Sequence, residues 1–119
     1  MRSHRDLVAW QRGVDLAEAV YGLSRGFPRE ELYGLTAQIR KAAVSVPSNI
    51  AEGYGRGTPA AYLSFLRIAK GSLREVETQL IIAGRVGLAA ETDVAAVLAL
   101  CDETARILHA LITSREGRS

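Results

Sequence analysis

The side chains with the clearest chemical potential in this sequence are basic, and they are concentrated in its middle third. Positions 36–74 contain six basic residues and one acid, Glu52, which is a net charge of +5 in a chain whose total is only +2. The six bases are Arg40, Lys41, Arg56, Arg67, Lys70 and Arg74. Because guanidinium and ammonium groups bind phosphate oxygens, this segment predicts contacts with the backbone of RNA or DNA.

Three of these bases recur at helical spacing. Arg67, Lys70 and Arg74 fall at i, i+3 and i+7, so they form a stripe on one side of a helix. A basic stripe suits an anionic partner. The alternative is a solvated face whose bases pair with acidic residues of the next helix. No module that reads a nucleotide sequence accompanies the stripe.

Residues that could support catalysis or bind a metal are few. The chain has two histidines, His4 and His109, and one cysteine, Cys101, and it has no His-Glu-x-x-His or Glu-x-x-His motif. Cys101 falls on an apolar helix face, which favours a buried structural thiol over a nucleophile. We therefore predict a protein that is not an enzyme and that uses no metal, cofactor or small-molecule substrate.

The elements that must position these residues are helices, because the apolar periodicity is helical almost throughout. We predict helices over about 6–24, from 28 to the glycines near 55, over 59–86 and over 93–114. Asp6, Pro28 and Thr58 are the predicted start signals of the first three. The predicted apolar face of the first helix contains Leu7, Trp10, Val14, Ala17 and Tyr21, and that of the second begins at Leu32.

Pro47 interrupts the second helix. An interior proline removes a backbone hydrogen bond, so the segment either continues with a kink or restarts as a new helix capped by Asn49, and we favour the kink. Asn49 and Glu52 lie beside this proline. They either have a structural role, satisfying backbone groups that Pro47 frees or joining the kink to Arg56, or they recognise a partner.

Four amphipathic helices with short connections predict an all-α, antiparallel up-down-up-down four-helix bundle, which forms a single domain over 1–119. The sequence contains no apolar run long enough to cross a membrane and no secretory signal at its start. We expect a cytoplasmic protein that does not bind a membrane.

Some aliphatic residues lie outside the predicted core faces. Ile68 and Ile82 fall about 115° and about 155° from the centre of the apolar face of the third helix, and Leu100 and Ile107 lie off the main face of the fourth. Scattered surface aliphatics are normal in monomers. Their occurrence on two helices nevertheless favours a homo-oligomer interface.

Residues 27–35, 38–53 and 62–75 together resemble the four-helix-bundle family of 23S rRNA intervening-sequence proteins. The most specific block is Ser-Val-Pro-Ser-Asn-Ile-Ala-Glu-Gly at 45–53. Its family motif residues are Ser45, Pro47, Asn49, Glu52 and Gly53.

The resemblance implies a bacterial bundle that assembles as a cyclic homopentamer with a central channel, and it offers no catalytic residue to carry over. It also implies kinship with the accessory variability protein of diversity-generating retroelements, which binds nucleic acid and a reverse transcriptase. Two functions follow as hypotheses. One is an oligomeric RNA-binding accessory protein, and the other is an oligomeric scaffold that presents residues 49–56 to a protein partner.

Overall fold

Four long helices make up most of the computed structural model, which describes residues 3–117. They are α1 (Val8–Ser24), α2 (Leu35–Gly55), α3 (Pro59–Arg85) and α4 (Glu91–Glu116). Short 3-10 turns at His4–Asp6 and Arg29–Glu31 precede α1 and α2. Within residues 3–117 the structure has no strand, and the all-α prediction is confirmed.

The residue pairs that meet between helices show how the helices run. α1 and α3 each pack against both α2 and α4. Across each interface between consecutive helices, the contacts move toward the start of one helix as they move toward the end of the other. The pairs are Gly13 with Pro47 and Ser24 with Arg40, Ser45 with Ser72 and Gly53 with Phe65, and Gly84 with Val94 and Arg67 with Glu116. Consecutive helices are therefore antiparallel, as predicted, in a bundle measuring 45 × 23 × 21 Å.

The core of the bundle is mainly aliphatic. Its largest fully buried aliphatic side chains are Leu16, Val20, Ile39, Val46, Ile50, Leu66, Leu73, Val76, Leu80 and Leu108. Burial of this apolar surface, at about 25 cal/mol per Å², is the main force that holds the helices together.

The face that α1 turns toward this core differs from the prediction. Its buried residues are Ala9, Gly13, Leu16, Val20 and Ser24, whereas Val14 and Tyr21 are 40% and 38% exposed. The buried face includes small residues because Gly13 lies against Pro47 of α2, where a Cβ would be 3.3 Å from the proline Cβ. A pattern based on large apolar residues alone does not detect that contact.

The starts of α1 and α2 also differ from the prediction. Leu7, and not Asp6, is the N-cap of α1, since Asp6 instead forms a capping box with Ser3 in the preceding turn. α2 begins at Leu35, seven residues after Pro28, because Gly34 has a non-helical backbone (φ −106°, ψ −118°). Leu32 consequently lies outside α2 and is 46% exposed.

α2 continues through Pro47 to Gly55, which excludes a new helix capped by Asn49. The kink itself stays a prediction. Thr58 is confirmed as the N-cap of α3, since its Oγ1 accepts a hydrogen bond from the Ala61 N–H at 3.2 Å. α4 begins at Glu91, two residues before the predicted start.

Candidate nucleic-acid interface

A shallow groove of about 400 Å³ between α3 and α4 brings basic side chains of both helices together. It is lined by Lys70, Leu73, Arg74, Asp102, Ala105, Arg106 and His109. Among residues 3–117, Asp102 is the single acid in this lining, and it pairs with Arg106 at 2.5 Å. The groove therefore offers a cluster of nitrogen donors to an anion.

The positions of the predicted stripe residues on α3 agree with their spacing, since all three lie toward α4. Arg67 reaches across to α4, where its Nη2 lies 2.7 Å from Glu116 Oε2. Arg74 lies 3.4 Å from Glu77 on its own helix. Lys70 has no acidic partner within residues 3–117. Exposed pairs of this kind contribute only about 0–1 kcal/mol, so an arriving phosphate can displace them.

Arg40 and Lys41 lie on the other side of the bundle, where α1 meets α2. Arg40 is half-buried, donates from Nε to Ser24 Oγ at 2.8 Å, and stacks with its guanidinium carbon 4.6 Å from the centre of the Tyr21 ring. Lys41 is exposed and lines a separate groove with Arg40 and Val44. Arg40 thus joins α1 to α2, while Lys41 faces solvent.

Arg56 lies at the end of α2, away from both basic clusters. Its Nη2 is 2.8 Å from Glu52 Oε2, and its guanidinium carbon is 5.0 Å from the centre of the Phe65 ring. The six predicted phosphate contacts are therefore divided among three places: Arg67, Lys70 and Arg74 on α3, Arg40 and Lys41 on α2, and Arg56 just after the end of α2.

The structure adds two residues to the basic surface that the charge distribution did not identify. Arg106 and His109 belong to the C-terminal part of the chain, which carries seven acids and four arginines in positions 75–119. Because this part of the chain has a negative net charge, an argument from net charge along the sequence did not identify these two residues. Their i, i+3 spacing on one predicted helix was the available signal, but only the packing of α4 against α3 shows that they face Lys70.

The family motif residues pack α2 against its neighbours. Asn49 donates from Nδ2 to both the backbone oxygen and the Oγ of Ser45, each at 2.8 Å. The Ser45 hydroxyl in turn lies 2.7 Å from the Ser72 hydroxyl of α3. Pro47 faces α1, whereas Gly53 is buried against α3. The motif therefore lies where three helices meet.

The four aliphatic residues predicted at an oligomer interface fall into two groups. Ile68 and Ile82 of α3 are 49% and 44% exposed. Leu100 and Ile107 of α4 are half-buried and pack against the core. The first pair is thus available for contact with another chain, while the second pair already has part of its surface covered.

The fold and the groove define a class of protein: an antiparallel four-helix bundle with a basic cleft on one side. Residues 5–110 match the 23S rRNA-intervening sequence protein family, and the chain belongs to that family. This confirms the resemblance seen in the motif at 45–53.

One solved structure with the same fold is a protein of unknown function from the S23 ribosomal protein family of Bacteroides thetaiotaomicron VPI-5482. It is 20% identical, with a TM-score of 0.82, over 88% of this chain and 98% of that chain. No curated protein matches the sequence. Among residues 3–117, no helix has the length and apolar character to span a membrane, and no three His, Cys, Asp or Glu side chains converge as metal ligands.

Proposed function

We propose that this protein is a non-catalytic, oligomeric RNA-binding accessory protein of the bacterial cytoplasm. The observation that carries the proposal is the groove between α3 and α4, where Lys70 and Arg74 face Arg106 and His109. The family name refers to a sequence that intervenes in 23S rRNA, and this favours RNA as the anionic partner.

The chemistry of the groove favours contacts with phosphates over contacts with base edges. Lys70 is unpaired within residues 3–117, and the ion pairs of Arg74 and Arg106 are exposed. Each basic group that neutralises a phosphate releases counterions, so affinity falls as salt rises, by a log–log slope of about 0.7 to 0.9 per contact. Three such contacts give a slope of about −2 to −3 for one chain, with little dependence on nucleotide sequence.

A salt titration of a structured RNA tests this function. In the variant Lys70→Gln/Arg74→Gln/Arg106→Gln we expect the affinity at about 50 mM salt to fall at least about tenfold and the slope to flatten by about 2. The matched control is Arg25→Gln/Arg29→Gln/Arg85→Gln, which removes the same charge from exposed positions outside the groove.

The control is expected to keep the wild-type slope. If the two triple variants lost RNA affinity equally, the groove would have no specific role in RNA binding. If the wild-type protein does not bind RNA even at about 50 mM salt, the RNA proposal fails, and the scaffold that presents residues 49–56 becomes the better hypothesis.

Assembly with further copies is the second part of the proposal, and Ile68 and Ile82 support it. Two isoleucines with nearly half of their surface exposed on one helix are suited to burial against another chain. A ring of copies would also multiply a weak RNA contact through avidity. We expect light scattering to give a multiple of 12.8 kDa, with Ile68→Glu/Ile82→Glu returning the monomer mass. A wild-type monomer at micromolar concentration would remove this part.

A further inference from the structure

A second pocket, separate from the groove, lies at the end of the bundle where α2 connects to α3. It measures about 280 Å³ and is lined by Gly53, Tyr54, Gly57, Thr58, Pro59, Tyr62 and Arg115. Arg115 comes from the last turn of α4, so three helices contribute to the pocket.

Two buried side-chain atoms in the lining have no hydrogen-bond partner within residues 3–117. They are the hydroxyl oxygen of Tyr62, whose residue is only 8% exposed, and Nε of Arg115. Buried polar groups are nearly always paired, so two unpaired groups beside one pocket point to a ligand that would pair with them. Arginine Nε can only donate, and the missing partner must therefore be an acceptor.

The electrostatics of the pocket favour an acceptor with negative charge. No acid lines it among the residues that the structure describes. The Arg115 guanidinium carbon lies 5.3 Å from the centre of the Tyr62 ring. α3 begins at Pro59 in the pocket wall, so the positive end of this 27-residue helix also faces the site.

Tyr62 is prepared to donate a hydrogen bond. Burial raises the pKa of its hydroxyl, while nearby Arg115 acts in the opposite direction with a smaller effect. The phenol therefore stays protonated at neutral pH. The Tyr54 ring meets the Tyr62 ring edge to face at 5.9 Å and holds it in place.

We infer that this pocket binds a phosphate monoester, whose oxygens accept hydrogen bonds from the Tyr62 hydroxyl and from the Arg115 guanidinium. Because both unpaired atoms are buried and the Arg115 guanidinium lies against the Tyr62 ring, we expect the Arg115 side chain to turn toward the ligand on binding. A pocket of about 280 Å³ suits a terminal phosphate, since an internal one would have to bring two flanking nucleotides past the walls. Assigning that phosphate to an RNA end rests on the proposed function, whereas the phosphate site itself does not.

Calorimetric titration with inorganic phosphate, against chloride at equal ionic strength, tests the site without RNA. We expect the wild-type protein to bind phosphate and both Tyr62→Phe and Arg115→Gln to bind it at least tenfold more weakly. Tyr33→Phe is the matched control, because Tyr33 is 93% exposed and lies outside the pocket. Tyr62→Phe removes only an unpaired hydroxyl, so its melting temperature in phosphate-free buffer should not fall below that of the wild type. Equal phosphate affinity in Tyr62→Phe and wild type would overturn the proposal.

The source of the phosphate is decided by three further probes: adenosine 5′-monophosphate, a 5′-phosphorylated RNA decamer and the same decamer with a 5′-hydroxyl. If the wild type binds the phosphorylated decamer more tightly than the hydroxyl decamer, and Tyr62→Phe does not, the ligand is the phosphate at an RNA end. Binding of the mononucleotide as tight as that of the phosphorylated decamer identifies a free nucleotide. The groove variant Lys70→Gln/Arg74→Gln/Arg106→Gln should lose RNA affinity but retain inorganic phosphate, so failure of either proposal is distinguishable from failure of the other.

Discussion

Gly53 and Phe65 meet at the contact between α2 and α3, where a Cβ at position 53 would lie 2.7 Å from the Cβ of Phe65. The same Cβ would lie 3.2 Å from the backbone oxygen of Tyr62. Neither neighbour is the end of a flexible side chain. Only glycine therefore permits this close approach of the two helices, and this explains the last residue of the motif at 45–53.

Replacing Gly53 with alanine should separate α2 from α3 and lower the free energy of unfolding by about 1–3 kcal/mol, the usual range for overpacking. Chemical denaturation measures this change. Gly71→Ala is the control, since Gly71 is exposed on α3 with nothing within 4 Å of an added Cβ. The control should gain up to about 1 kcal/mol from helix propensity. If Gly53→Ala had the same free energy of unfolding as the wild type, the contact between α2 and α3 would not require glycine at position 53.

The hydrogen bond between Ser45 and Ser72 should contribute to the pairing of α2 with α3. Ser72 is 6% exposed, and its hydroxyl lies 2.7 Å from that of Ser45. We expect Ser72→Ala to lower the free energy of unfolding by about 1 kcal/mol. A double-mutant cycle with Ser45→Ala isolates the bond, and a coupling energy near zero would show that the two hydroxyls act independently.

Cys101 should make the stability depend on alkaline pH. Burial, together with the nearby Glu77 carboxylate and against the opposing effect of Arg74, raises its thiol pKa from 9.0 to about 11. Between about pH 9 and pH 11 the unfolded chain loses this proton while the folded chain keeps it, so stability falls as pH rises, by at most about 1.4 kcal/mol per unit.

Denaturation midpoints at several alkaline pH values measure this slope. The variant Cys101→Ala, compared with the wild type over the same range, should show a shallower decline. A thiol reagent supplies an independent check: it should react slowly with the folded protein and rapidly after denaturation, because the residue is only 3% exposed.

Glu116 should weaken RNA binding through Arg67. Its Oε2 lies 2.7 Å from Arg67 Nη2 and competes with phosphate for that guanidinium. We expect Glu116→Gln to increase RNA affinity about two- to tenfold at low salt and to change the free energy of unfolding by no more than about 1 kcal/mol, as for other exposed pairs. The control Asp15→Gln removes an acid that pairs with Arg12 on α1. It should increase the RNA affinity only by the nonspecific effect of removing one negative charge.

The sequence predicted α3 and α4 well because their long apolar side chains recur on one face over many turns. It failed where small or non-helical residues decide the structure. Gly13 turns α1 toward Pro47, and Gly34 delays the start of α2 to Leu35. Neither effect leaves an apolar pattern, since each depends on backbone geometry or on a neighbour distant in sequence.

For the candidate sites, the sequence by itself determined the helical class, the family motif and the basic stripe of α3, because these depend on residue types at local spacing. Only the tertiary structure decided which charges share a surface. It separated Arg40 and Arg56 from Lys70, and it placed Arg106 and His109 beside Lys70. The physical reason is that a phosphate responds to charges within a few ångströms in space, and helix packing sets those distances independently of separation along the chain.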